Sequence, residues 1–142
     1  MGLATIAVQR GDLDEALGLY AKAASISASD KALAGLALVE MEKGRHDDAF
    51  GHFSEALDQN PGNIFAINGL VQEGYYLGRL EEVVPYLESA LGVEDTESLR
   101  YALAGCLTAL GRNSDARRQL EALLGMNPDN QSAQELYARL AA

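Results

Sequence analysis

The sequence predicts an all-α fold, an α-solenoid of stacked antiparallel helix pairs, on three observations. Ala and Leu are abundant while β-branched and aromatic residues are sparse, in a chain of 142 residues that is 48% apolar and 23% charged, a composition that fills a helical core. The three prolines fall near helix ends or early in a helix. Four glycines recur at a nearly fixed interval, each followed by a polar or charged residue: Gly11, Gly44, Gly78 and Gly111, hence 33, 34 and 33 residues apart. A period of that size marks a repeat architecture.

The residues around each glycine repeat as well. Eight positions before it stand Leu3, Leu36, Leu70 and Leu103, followed by Ala4, Ala37, Val71 and Ala104. Five positions after it come Ala16, Ala49, Val83 and Ala116; nine after, Tyr20, Phe53, Leu87 and Leu120; twelve after, Ala23, Ala56, Ala90 and Leu123. Glycine permits a sharp turn between two helices because it adopts positive φ without steric cost. The small residue five positions on lets the second helix approach the first, and the larger one four residues further fills the same cleft. Each helix–turn–helix leaves apolar faces that it cannot bury alone, and stacking the units buries them.

The elements follow in order. The first pair is expected at 2–10 and 12–25 around Gly11, with Asp14-Glu15 complementing the dipole at the start of its second helix. The next pair, 30–43 and 46–58, turns at Gly44, opens its second helix on Asp47-Asp48 and is stopped by Pro61. The third, 63–77 and 79–91, turns at Gly78 and opens on Glu81-Glu82, with Asp95 where the pattern has proline. The fourth, 96–110 and 113–125, turns at Gly111 and meets Pro128. A ninth helix over 129–141 keeps Ala133, Leu136, Tyr137 and Leu140 for packing and turns Gln131, Gln134, Glu135 and Arg139 to water, as a capping helix requires.

The Leu-Ala…Gly-x4-Ala-x3-aromatic-x2-Ala-x4-Pro pattern resembles the tetratricopeptide repeat (TPR). The best copy, Asp30 to Asn63, has Leu36, Ala37, Gly44, Ala49, Phe53, Ala56 and Pro61 in place; Ile64 to Thr96 departs from it at Val83 and Asp95. The resemblance implies one TPR domain over 1–142, a TPR superhelix with units at about 1–29, 30–63, 64–96 and 97–130 and a capping helix at 131–142. The incomplete first unit favours a fragment of a longer protein.

Little points to catalysis. His46 and His52 lie six residues apart, about 600° around a helix, and no third ligand joins them; solvated histidines without a metal are expected. Cys106, the single cysteine, sits between Gly105 and Leu107 in an apolar helix and is expected to be packed, and one thiol fits a reducing, cytoplasmic setting. The isolated glycines form no phosphate-binding loop, and basic residues form no stripe. A net charge of −10 disfavours nucleic acid and anionic membranes, and is consistent with a basic partner; solubility alone also accounts for it. No apolar stretch is long enough to span a membrane. The expectation is no enzyme and no cofactor.

In the family, the first helices of the units line a concave face that usually holds the ligand. The resemblance thus implies a peptide-binding groove of Leu38, Met41, Phe65, Asn68, Gln72, Tyr75, Tyr76, Tyr101 and Thr108, flanked by Thr5, Val8, Gln9, Lys31, Ala34, Glu42, Ser98, Gly105 and Ala109, and by Ser132, Glu135 and Arg139 of the capping helix. Aromatic anchors favour partner binding, and Asn68 and Gln72, four apart, suit an extended peptide backbone. Tyr76, Tyr75 and Phe65 have an alternative place between adjacent units. A subgroup of the family clamps the carboxylate of chaperone tails through Lys, Arg and Asn; the corresponding positions here hold Ala34, Leu38, Gly69, Ser98 and Ala102, or, one unit earlier, Met1, Thr5, Gly35, Phe65 and Gly69, without those charges. The expected function is a scaffold for a protein or peptide. The alternatives are self-assembly through Leu3, Ile6 and Val8 at a truncated first helix, or a regulatory segment of a larger enzyme.

Overall fold

The computed structural model describes residues 13–26 and 29–141. Its described residues form eight α-helices and no strand: α1 (Leu13–Ile26), α2 (Asp30–Glu42), α3 (His46–Gln59), α4 (Ile64–Leu77), α5 (Leu80–Val93), α6 (Glu97–Ala109), α7 (Asn113–Met126) and α8 (Gln131–Ala141). These bounds lie within two residues of those expected. The helix expected at 2–10, with its edge residues Leu3, Ile6 and Val8, lies outside the described residues. The chain divides into two compact units between Arg79 and Leu80. In the first, α2 packs on α1, α3 and α4, and α3 on α4; in the second, α5 packs on α6, α6 on α7 and α7 on α8.

Three of the repeating glycines turn the chain as their spacing predicts. Gly44, Gly78 and Gly111 have φ of 79°, 69° and 76°, and no other residue among those described has positive φ. After each, the next amide reaches back five residues: Arg45 to the carbonyl of Glu40, Arg79 to Gly74 and Arg112 to Leu107, at 2.8, 2.9 and 2.8 Å. This closure satisfies carbonyls left open at the helix end.

The core follows the register. Ala16, Ala49, Val83 and Ala116 are fully buried, and the larger residues four positions on, Tyr20, Phe53, Leu87 and Leu120, are buried as well. In the first unit the aromatic ring of each second helix lies on a glycine of the following helix. A Cβ added at Gly35 would fall 2.1 Å from Cε1 of Tyr20, and one at Gly69 would fall 2.2 Å from Cζ of Phe53. Hence α2 and α4 seat closer than any side-chain-bearing residue permits.

Two seams share a polar clasp. Asp30 Oδ2 accepts from Asn60 Nδ2 at 3.0 Å and Asn63 Nδ2 at 2.9 Å, while Asn63 Oδ1 accepts from the amide of Ala66 at 3.0 Å and so caps α4. In the second unit, Glu97 Oε1 accepts from Asn127 and Asn130 at 2.9 and 3.0 Å, and Asn130 caps Ala133 at 3.0 Å. Burial pushes the Asp30 carboxyl up, but the two amide donors outweigh it and hold it below its ordinary value. Asn130 and then Asn127 lower Glu97, against a smaller opposing effect of burial. Where Asp95 replaces proline there is no such clasp: Arg100 Nε and Nη2 donate to its two oxygens at 2.9 and 2.8 Å, and Thr96 caps α6 through the amide of Leu99. Pro85 sits inside α5 on its exposed side, where the missing N–H leaves a carbonyl facing water.

Candidate functional site

Two helices of the first unit present the expected residues. On α4 the buried positions are Ala66, Ile67, Gly69, Leu70, Glu73 and Gly74. Phe65, Asn68, Gln72, Tyr75 and Tyr76 remain exposed, and their spacing of three or four residues aligns them along one side of the helix. From Phe65 to Tyr76 the stripe rises about 16.5 Å, eleven steps at 1.5 Å each. Phe65 is 82%, Tyr76 69% and Tyr75 50% exposed, and the Tyr76 ring also lies against His46 of the preceding repeat. On neighbouring α2, Lys31, Leu38 and Glu42 are exposed and Met41 is half-buried. Ala34 shares the register of Lys31, Leu38 and Met41, and its short side chain is buried.

Tyr101 and Thr108 lie on α6, in the second unit. Tyr101 is 36% exposed. The Thr108 hydroxyl donates to its own helix, to the carbonyl of Ala104 at 2.7 Å. Ser98, Ala109, Ser132, Glu135 and Arg139 are exposed and Gly105 is half-buried. Thr5, Val8 and Gln9 lie outside the described residues.

The exposed face of α4 rests on a polar interior that spacing alone does not reveal. Glu73, 1% exposed, is bonded through Oε2 to His46 Nδ1 at 2.7 Å. The His46 ring stacks on Tyr76, with centroids 4.0 Å apart and an interplanar angle of 30°. Buried Glu40 is bonded in the same way to His52 Nδ1 at 2.5 Å. The expectation of two solvated histidines is therefore corrected: both are partly buried and each meets a buried carboxylate. An unpartnered carboxylate in a helix core is costly, and these imidazoles supply the partners. Beside them, the Arg79 guanidinium lies 3.9 Å over the Phe50 ring and 3.8 Å from Asp47. The available signal was an acid in an apolar register: Glu73 falls three residues after buried Leu70 and one before buried Gly74.

Among the described residues, no three His, Cys, Asp or Glu side chains are grouped so as to hold a metal. Cys106 is fully buried, as its apolar flanks predict. An open cleft of about 430 Å³ lies between α7 and α8, lined by Ser114, Arg117, Arg118, Glu121, Tyr137 and Ala141. Tyr137 donates to Glu121 Oε1 at 3.1 Å, and that bond, with the carboxylate charge, raises the phenol above its ordinary value. No described helix is long and apolar enough to cross a membrane.

Comparison with known proteins agrees with the architecture. A family model described as a tetratricopeptide repeat matches residues 1–64, and a second of the same description matches residues 75–140. The crystal structure of MamA is 17% identical over 99% of this chain and 83% of its own, with a TM-score of 0.80. YrrB, described as a TPR protein with an unusual peptide-binding site, is 23% identical over 98% of this chain and 73% of its own, at a TM-score of 0.77. The first TPR of Spaghetti (RPAP3), bound to the HSP90 peptide SRMEEVD, is 16% identical over 81% of this chain and 92% of its own, at a TM-score of 0.65. No curated protein sequence matches the chain. At these identities the solved structures speak for the fold alone, and the family rests on the two matched segments together with the glycine-centred register: the chain belongs to the tetratricopeptide repeat family.

Proposed function

We propose that this chain is a protein-interaction scaffold that binds a peptide or protein segment along the exposed side of α4 and the adjoining part of α2. The observation that carries the reading is the stripe of Phe65, Asn68, Gln72, Tyr75 and Tyr76, all exposed, with Leu38 and Met41 on α2 beside it. Large aromatic rings left open to water are the commonest anchors of interfaces, and two amides four residues apart present donors and acceptors for an extended backbone. The peptide binding described for YrrB and for the RPAP3 repeat supports the same use of the fold. The acidic peptide of the latter does not transfer, because the clamp positions here hold Ala34, Leu38, Gly69, Ser98 and Ala102. The net charge of −10 favours a basic segment instead, and a cytoplasmic setting suits the single thiol.

Each anchored aromatic contributes roughly 1.5–3 kcal/mol. After association costs, a few such contacts give binding of about −8 kcal/mol, the micromolar range. The test is quantitative co-purification with wild type and with Phe65→Ala/Tyr75→Ala, two exposed positions whose loss leaves the core intact. A partner recovered about tenfold less well by the double variant supports the reading. Equal recovery at matched folding, by circular dichroism, refutes this face.

A further inference from the structure

We propose that Asn68-Gly69 is a latent self-modification site, a deamidation site that α4 holds unreactive for as long as it stays helical. Of the six asparagines, only Asn68 precedes a glycine; Asn60, Asn63, Asn113, Asn127 and Asn130 precede Pro, Ile, Ser, Pro and Gln. In the reaction, the backbone nitrogen of the following residue loses its proton and attacks the side-chain amide carbon. A C–N bond forms, the side-chain nitrogen leaves as ammonia, and a five-membered succinimide results. Water then opens one of its two C–N bonds, giving aspartate or, through the other carbonyl, isoaspartate. One water enters and one ammonia departs, with no oxidation or reduction. Glycine is the most permissive follower because it has no side chain to obstruct the ring.

The fold itself favours the glycine of this dipeptide. Glycine is favoured at 69, since any Cβ there would lie 2.2 Å from Phe53 Cζ, 2.5 Å from Cε1 and 2.6 Å from Cε2 and would force the ring to move. Asn68, one position earlier, points off the buried side and is exposed. The same helix supplies the protection. Both residues lie within α4, Ile64–Leu77, where the Gly69 amide belongs to the helical i to i−4 ladder and ψ of Asn68 is pinned near the helical value, about −42°. Closing the succinimide requires ψ of Asn68 to rotate out of that well and the Gly69 amide to leave its carbonyl. The reaction is thereby restricted to molecules in which α4 has opened.

The products differ in consequence. Aspartate at 68 adds a negative charge to the exposed stripe. Isoaspartate inserts an extra backbone carbon inside the helix, which shifts the ladder and withdraws position 69 from Phe53. The effect on binding rests on the proposed function of this face; the modification itself does not.

The full chain, aged in mildly alkaline buffer with and without concentrated urea and then mapped by peptide mass spectrometry with aspartyl and isoaspartyl products separated, tests the proposal. In urea, Asn68 is expected to convert before the other five asparagines. In native buffer its conversion is expected to be about a hundredfold slower or more, the factor set by the population of open molecules. Leu70→Ala, which leaves the dipeptide intact and empties a fully buried site, is expected to raise the native rate about tenfold or more. If that variant does not fold, graded urea on wild type serves instead, with the rate following the unfolded fraction. Equal rates in native buffer and urea, another asparagine reacting first in urea, or a rate independent of the unfolded fraction would overturn the proposal.

Discussion

Replacing Gly69 with alanine adds one methyl group to α4, and two physical effects then compete. In an exposed helix interior the change is favourable by about 0.8–1.0 kcal/mol, from the lost backbone freedom of glycine. Here the new Cβ would stand 2.2 Å from Cζ of Phe53, where carbon atoms settle at about 3.5–4.0 Å. The ring must retreat by more than about 1 Å, and it is one of the largest fully buried side chains, with little room to retreat into. Overpacking of this kind costs about 1–3 kcal/mol, and so large a displacement belongs at the upper end. The net expectation is a loss of about 2 kcal/mol, opposite in sign to helix propensity. Urea unfolding followed by circular dichroism measures it. A double-mutant cycle with Phe53→Leu isolates the contact, because the second unit carries that combination in register: Leu87 stands nine residues after Gly78 and Ala102 nine before Gly111. The coupling between the two changes is expected to exceed about 1 kcal/mol. A Gly69→Ala variant as stable as wild type, or more so, would refute the close-approach argument.

Three further outcomes follow from other contacts. His46→Ala leaves the Glu73 carboxylate buried without its imidazole, and is expected to cost about 1–3 kcal/mol in urea unfolding, part of which Glu73→Leu in the same chain restores. Because the folded Asp30 carboxyl lies below its ordinary value of 3.8, its contribution is fully present above that value and is lost as pH falls through the lower, folded one; acid unfolding curves should therefore show a weaker dependence below about pH 4 in Asp30→Asn than in wild type. Asn130→Ala removes both a donor to Glu97 and the cap on Ala133, and should destabilise the second unit by about 1–2 kcal/mol, with faster amide exchange in α8.

What the sequence made legible was whatever repeats. Gly44, Gly78 and Gly111 announced their turns because only one residue type takes positive φ cheaply, and Ala49 or Ala116 announced close helix contacts because the same small side chain recurs at one register. The residues exposed on α4 came from the resemblance instead, which carries the family's inward positions onto Phe65, Asn68, Gln72, Tyr75 and Tyr76. Contacts made once carry no period. His46 and Glu73 are 27 residues apart and His52 and Glu40 are 12 apart, and neither pair recurs at the next unit, so histidines that looked solvated proved to be partners of buried acids. The Asn clasps repeat, but through side-chain bonds 30 and 33 residues long, in a loop where hydrophobic patterning is silent.

Those clasps set a rule for rearranging the chain. Asn60-Pro61-Gly62-Asn63 and Asn127-Pro128-Asp129-Asn130 each tether a joint of four residues to a carboxylate at the head of the preceding pair, so the joint can be neither lengthened nor shortened without releasing both amides. A helix pair moved as a cassette keeps its fit if it brings an acid at its first position and Asn-Pro-x-Asn at its last. The joint at Asp95-Thr96 speaks a different dialect, and a pair spliced there arrives without a matching fastener.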